Sequence, residues 1–371
     1  CYIHIPFCDH KCIYCDFYSI ITTDSVNSFH QALKKEIEFY SQHYSNRREL
    51  ISIYFGGGTP SLMEPEYIQE IINHIRKNYF VKEEAEITLE TNPGTVTKEK
   101  LEKFRRIGIN RLSVGIQSFH EEELKFLTRI HDAKTAIQTV ENASKAGFEN
   151  ISVDLIFNLP GQTKAKWKYN LEQALKLPVK HISAYSLILE RGTILNKMVL
   201  DGKVQMQDDD YDADLYEMTL DFFDENGFIQ YEVSNFTKPG YECIHNNAYW
   251  HHIDYLGFGT SAHSFVDGKR WWNFSSAKMY IDAIQKNQNA VAGSELISKE
   301  SELDEYVMLA LRSSGLNVQE FESRFGTKWL EEKKSYLQKL RESDFLMITE
   351  NKINLTKKGF AVCDEILANI P

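Results

Sequence analysis

Short runs of apolar residues alternate along the chain with longer stretches of helical period. Positions 2–6 form the first run. Residues 25–44 follow, with Phe29, Leu33, Ile37 and Tyr40 at the spacing of one helix stripe, which predicts an amphipathic helix. Residues 51–55 predict a second strand closed by Gly56-Gly57-Gly58, residues 66–78 a helix, and residues 86–91 a third strand broken at Asn92-Pro93-Gly94. A helix over 98–107, a strand over 111–116, and helices over 122–127 and 133–146 come next. A strand over 151–157 ending at Pro160-Gly161, a helix over 164–176 and a strand over 181–189 complete the series. Strands joined by helices imply parallel neighbours, because a tight turn can only return a chain antiparallel. Six such units within residues 1–195 suit an α/β fold, specifically a partial six-unit (β/α) barrel rather than a closed eight-unit one.

In parallel sheets ligands sit beyond the carboxyl ends of the strands. The chemically capable residues of this chain fall at those ends: Cys8 to Cys15, Gly56 to Thr59, Glu90, Gln117 and Asp154. The pattern changes after Arg191. A helix over 208–223 opens on Asp208, Asp209 and Asp210, and residues 227–275 are rich in aromatics and histidine, with strand-like pieces. From about residue 301 come three helices, two short strands and a last helix, read as helix-turn-helix with a small wing. The expected division is a barrel over 1–195, a connecting segment over 196–298 and a winged-helix-like C-terminal domain over 299–371.

The chain has 371 residues, of which 42% are hydrophobic and 26% charged, enough to bury a core and too little charge for wholesale disorder. No apolar run approaches the ~20 residues needed to span a bilayer. The net charge of -11 argues against a broad nucleic-acid surface. In the tail from residue 300, ten Lys/Arg face thirteen Asp/Glu, so no basic stripe supports DNA binding there. Six cysteines with no leader segment read as a metal or redox site in a reducing cytoplasm.

Three of those cysteines are crowded into Cys8-Asp-His-Lys-Cys12-Ile-Tyr-Cys15, directly after the first strand. Three thiolates so spaced can hold a [4Fe–4S] cube and leave one iron open to a chelating small molecule. A zinc site completed by a fourth ligand such as His10 is the other reading. The stretch from Tyr2-Ile-His-Ile-Pro-Phe-Cys8 to Cys15-Asp16-Phe17 resembles the radical S-adenosylmethionine superfamily. Within it, the resemblance is to the branch of oxygen-independent coproporphyrinogen III oxidases and HemW-type haem chaperones.

The resemblance implies that Cys8, Cys12 and Cys15 bind the cluster and that S-adenosylmethionine chelates the open iron. It assigns the glycine loop (Gly57, Gly58, Thr59) and Glu90, Gln117, Arg129 and Asp154 to that cofactor, with Tyr2 and Tyr14 flanking the cluster loop. In the oxidase branch the aromatic just before the third cysteine touches a second cofactor molecule, and Tyr14 occupies that place. A second dense patch, Cys243-Ile-His245-Asn246-Asn247-Ala-Tyr249-Trp250, carries the chaperones' His-Asn-x-x-Tyr-Trp signature, tied there to haem. His245 is the first ligand candidate and Cys243 the second, since imidazole and thiolate are haem's axial ligands. The oxidase typically has a fourth cysteine where Phe17 stands here, which favours a haem chaperone over porphyrinogen decarboxylation. The implied partners are haem or a porphyrin, an electron donor such as a flavodoxin, and a haem-acceptor protein. Nucleic acid is not among them, any membrane contact would come through the acceptor, and an oligomer stays open.

Overall fold

The computed structural model describes residues 1–22, 24–44 and 49–370. The six expected strands form as β1 (Tyr2–Ile5), β2 (Leu50–Gly57), β3 (Val81–Thr91), β4 (Arg111–Gln117), β5 (Asn150–Phe157) and β6 (His181–Ser186), each parallel to the next. The crossovers are α1 (Val26–Tyr44), α2 (Pro65–Asn78), α3 (Lys98–Arg106), the pair α4 (Glu121–Phe126) and α5 (Ala133–Lys145), and α6 (Lys164–Lys176). Local chemistry starts several of them. Pro65 opens α2, and Thr97, Asp132 and Thr163 accept a backbone N–H at the heads of α3, α5 and α6.

Alternation along the strands separates two faces. Ile53 and Phe55, Ile87 and Leu89, Leu112 and Val114, Val153 and Leu155, and Ile182 and Ala184 are buried together in the main apolar core. The intervening positions are polar: Tyr54, Glu86, Glu90, Arg111, Ser113, Ser152, Asp154, His181 and Ser183. A parallel sheet covered on both faces ordinarily reads as continuous apolar runs. Here the second face is polar because it curves around an interior.

The sheet is larger than the sequence reading, with nine strands in the order β7-β8-β6-β5-β4-β3-β2-β1-β9. After α7 (Ile194–Leu200) and α8 (Asp209–Glu225), β7 (Ile229–Glu232) and β8 (Asn235–Thr237) add antiparallel beyond β6. Helix α9 (Ile244–Trp250) follows, and β9 (Gly257–Gly259) pairs parallel with β1. The segment expected to connect two domains thus supplies both edges of the sheet. Next come a sheet of β10 (His263–Val266), β11 (Lys269–Asn273) and β12 (Val291–Leu296), with α10 (Ala277–Asn287) between its last two strands.

The tail starts with α11 (Lys299–Leu311), β13 (Leu316–Asn317), α12 (Val318–Phe325) and α13 (Lys328–Glu342). Strands β14 (Leu346–Ile348) and β15 (Lys352–Leu355) then complete a three-stranded wing with β13, followed by two short helices. It has its own apolar core, including Val307, Leu311, Phe321, Trp329, Leu340 and Ile353. Among the described residues no helix is long and apolar enough to cross a membrane.

Candidate functional site

The carboxyl ends of β2 to β6 and the cysteine loop enclose a cavity of about 460 Å³. Its walls include Cys8, Cys12, Tyr14 and Cys15 from the loop, Gly57, Gly58 and Thr59 from the β2 end, and Glu90, Gln117, Arg129 and Asp154. Eleven of the residues singled out in the sequence therefore meet in one place. Tyr2 and His245 do not.

Glycine is required where the β2 loop passes β1. Gly57 has φ +110°, and a Cβ there would lie 2.7 Å from the His4 ring. A Cβ on Gly58 would stand 2.6 Å from the Phe7 carbonyl oxygen. This close approach lets the Thr59 N–H bond Phe7 O at 2.7 Å and brings Thr59 Oγ1 within 3.2 Å of Cys8 Sγ. His4 ties down the other end of the cysteine loop, with Nε2 3.0 Å from Tyr18 O.

Behind the sulfurs lies a polar network. Arg129 points Nη1 at Cys12 Sγ (3.7 Å) and donates through Nη2 to Asn92 Oδ1 (2.7 Å) and Gly115 O (2.8 Å). Asn92 Nδ2 in turn donates to Thr59 Oγ1 at 2.9 Å. Burial raises the Cys12 thiol above its usual range, and the Arg129 guanidinium works against that rise. Burial also raises Cys15. Glu90 receives Tyr54 Oη at 2.9 Å and the Gly57 N–H at 3.1 Å, and burial pushes its carboxyl up to about 7. Asp154 is raised by burial as well, against donation from Ser183 and Ser113. Gln117 holds φ 69°, an uncommon conformation for a side chain of its kind, at the lip of the cavity.

Tyr2 lies deeper in the interior. Its hydroxyl is 3.2 Å from His4 Nδ1, and its ring stacks on Tyr54. It is not one of the residues lining the cavity. The residues that sequence reasoning missed are His4, Asn92, Ser113 and Tyr185. His4 and Asn92 act by bracing the loop, Ser113 and Tyr185 by lining the cavity. Only the alternation of β4 and β6 could have marked Ser113 and Tyr185 as inward facing.

Among the described residues no three His, Cys, Asp or Glu side chains converge tightly enough for one metal ion. A cube spreads its thiolates over separate irons and asks for a wider triangle. Three cysteines around one cavity, beside a glycine loop that excludes any Cβ, fit a cluster carrying a small chelator.

The opposite, amino end of the sheet is closed by α9. Glu86 of β3 accepts the backbone N–H of Ile244 (3.1 Å) and of His245 (3.0 Å), and Cys243 Sγ lies 3.4 Å away. Arg111 sits beside Glu86, both essentially buried. Burial pushes the Cys243 thiol up to about 12, so it stays protonated and turned inward. His245 is 3% exposed, with Nδ1 2.9 Å from Ser52 Oγ, Nε2 3.0 Å from Tyr249 Oη, and its ring stacked on Tyr54. Burial lowers its pKa well below the usual histidine range, so the imidazole is neutral. His245 and Tyr249 line a second cavity, also about 460 Å³, with Leu50, Ala248, Ile253 and Leu256 among its apolar walls.

Comparison with known proteins agrees with this geometry. Residues 2–174 match the Radical SAM superfamily, and residues 297–362 match the HemN C-terminal domain. The structure of coproporphyrinogen III oxidase from Escherichia coli superimposes with a TM-score of 0.85 at 22% identity, covering 100% of this chain and 89% of that one, which speaks for the fold. Heme chaperone HemW of Lactococcus lactis is 34% identical over 98% of this chain and 95% of its own length. Heme chaperone HemW of Bacillus subtilis is 33% identical over 98% and 97%. With the cysteine cavity at one end of such a sheet and the His245 helix at the other, the chain belongs to the heme chaperone HemW family of radical SAM proteins.

Proposed function

We propose that this chain binds haem and passes it to an acceptor protein, while its cysteine cavity takes a [4Fe–4S] cluster and S-adenosylmethionine. The observation that carries the haem reading is the neutral His245 on the wall of an apolar cavity, inside the His-Asn-x-x-Tyr-Trp stretch. A neutral imidazole can ligate iron, and aliphatic and tyrosine side chains suit a porphyrin face. Ligation through Nε2 requires the Tyr249 hydroxyl to move aside. In the other cavity, Cys8, Cys12 and Cys15 would hold three irons. The backbone of Gly57 to Thr59 would cradle the methionine end, and Glu90, Gln117, Arg129, Asp154 and Tyr14 would contact the rest of the cofactor. Bound there, cluster and sulfonium together supply one-electron cleavage of a carbon–sulfur bond. A flavodoxin-type donor would provide the electron.

The test is haem titration, followed at the Soret band, of anaerobically reconstituted protein. Wild type should bind one haem. His245→Ala should lose at least tenfold in affinity, and Tyr249→Phe, with Nε2 freed, should bind more tightly. Coproporphyrinogen III should remain unchanged under reducing conditions. Equal affinity of wild type and His245→Ala would remove His245 from the site, and porphyrinogen turnover would restore the oxidase reading.

A further inference from the structure

We infer that Asn92 is a positioning residue that aims two hydrogen-bond donors at the sulfurs of the cysteine loop. The inference rests on the cluster reading above. Arginine can only donate, so the Asn92 oxygen must face Arg129 and its NH₂ must face Thr59. That fixes the direction of both amide contacts. Thr59 Oγ1 accepts from Asn92, so its own O–H is free to point at Cys8 Sγ, 3.2 Å away. The Cys8 thiol has His10 O at 2.8 Å to donate to, and a cluster-bound thiolate has no proton to give, so on the cluster reading the 3.2 Å Thr59–Cys8 contact runs from hydroxyl to sulfur. On the other side, Asn92 Oδ1 and Gly115 O hold Arg129 Nη2, which leaves Nη1 facing Cys12 Sγ.

One amide thus spans from Cys8 to Cys12 through two different donors. The backbone holds it in place: Asn92 N lies 3.4 Å from Ser61 Oγ, and Asn92 O accepts Thr95 Oγ1 at 2.7 Å. Donors to cysteine sulfur draw electron density from the thiolate and favour the reduced cluster, one of the levers that set iron–sulfur potentials. Asn92 therefore acts on the electron affinity of the cluster without touching it.

Redox titration of the reconstituted cluster, followed by electron paramagnetic resonance, tests this. Asn92→Ala should shift the midpoint potential in the negative direction, and so should Thr59→Val. Combined, the two substitutions should shift it by less than the sum, because Asn92 works partly through Thr59. Thr59→Ser, which keeps the hydroxyl, should retain the wild-type potential, and with Thr59→Val it carries the test if Asn92→Ala takes up no cluster. A potential unmoved by Asn92→Ala or by Thr59→Val overturns the inference while leaving the cluster reading intact. A wild-type protein that forms no [4Fe–4S] signal overturns the cluster reading and the inference with it.

Discussion

Enclosed between Tyr54 and the Gly57 amide, Glu90 keeps its proton to about pH 7. Its acidity is weakened on folding, so the folded state holds a proton that the unfolded chain releases between about 4.5 and 7. Folding is accordingly favoured at the acid side of that window, and stability falls as pH rises through it, by up to ~3 kcal/mol for one fully buried carboxyl. Glu36 and Glu232 are raised to about 7 by the same burial. Glu90→Gln should therefore reduce the stability lost between pH 5 and pH 8 in denaturant melts; an unchanged loss would mean that Glu90 is ionised throughout. The cysteines and the glycine loop were legible in the sequence because spacing and the absence of Cβ atoms carry their chemistry directly. Asn92 read only as a turn residue. Its partners Thr59 and Arg129 stand 33 and 37 positions away, and only the folded sheet brings them to it.

The helix that closes the amino end of the sheet has its first turn docked on a single side chain. Glu86 takes two backbone N–H groups of α9 and balances the enclosed Arg111 guanidinium. Glu86→Ala should leave Arg111 without its counter-charge and cost ~3–5 kcal/mol in chemical denaturation. A loss below ~1 kcal/mol would show that water replaces the carboxylate at little cost. At this scale β1 to β6 and their crossovers were readable from periodicity. Strands β7, β8 and β9, three or four residues long, were legible only as strand-like pieces within an aromatic, histidine-rich segment. In β9 two of three positions are glycine, and a Cβ on Gly257 would come within 2.0 Å of the His263 oxygen. Close packing against a neighbour, which local preference does not register, makes that strand.

The two largest apolar cores lie in the barrel and in the tail, and charged groups link them. Arg270 of β11 grips Glu305 of α11 with contacts of 3.1 and 2.6 Å, His252 lies 3.5 Å from the same carboxylate, and Arg324 donates to His252 at 2.8 Å. Lys357 reaches Asp224 at 2.6 Å. Arg270→Ala should loosen this seam without unfolding either core, seen as faster amide exchange in α11 and little change elsewhere; exchange that rises throughout the chain would mean one cooperative unit. Strand β2 touches both cavities, through Leu50, Ile51 and Ser52 at one end and Gly57 at the other. At the rise of an extended chain, Ser52 and Gly57 stand about 16 Å apart. A tetrapyrrole carried beside His245 would lie about a strand's length from any radical generated among the cysteines. A carrier built this way can run corrosive chemistry at one pole and keep its passenger chemically intact at the other.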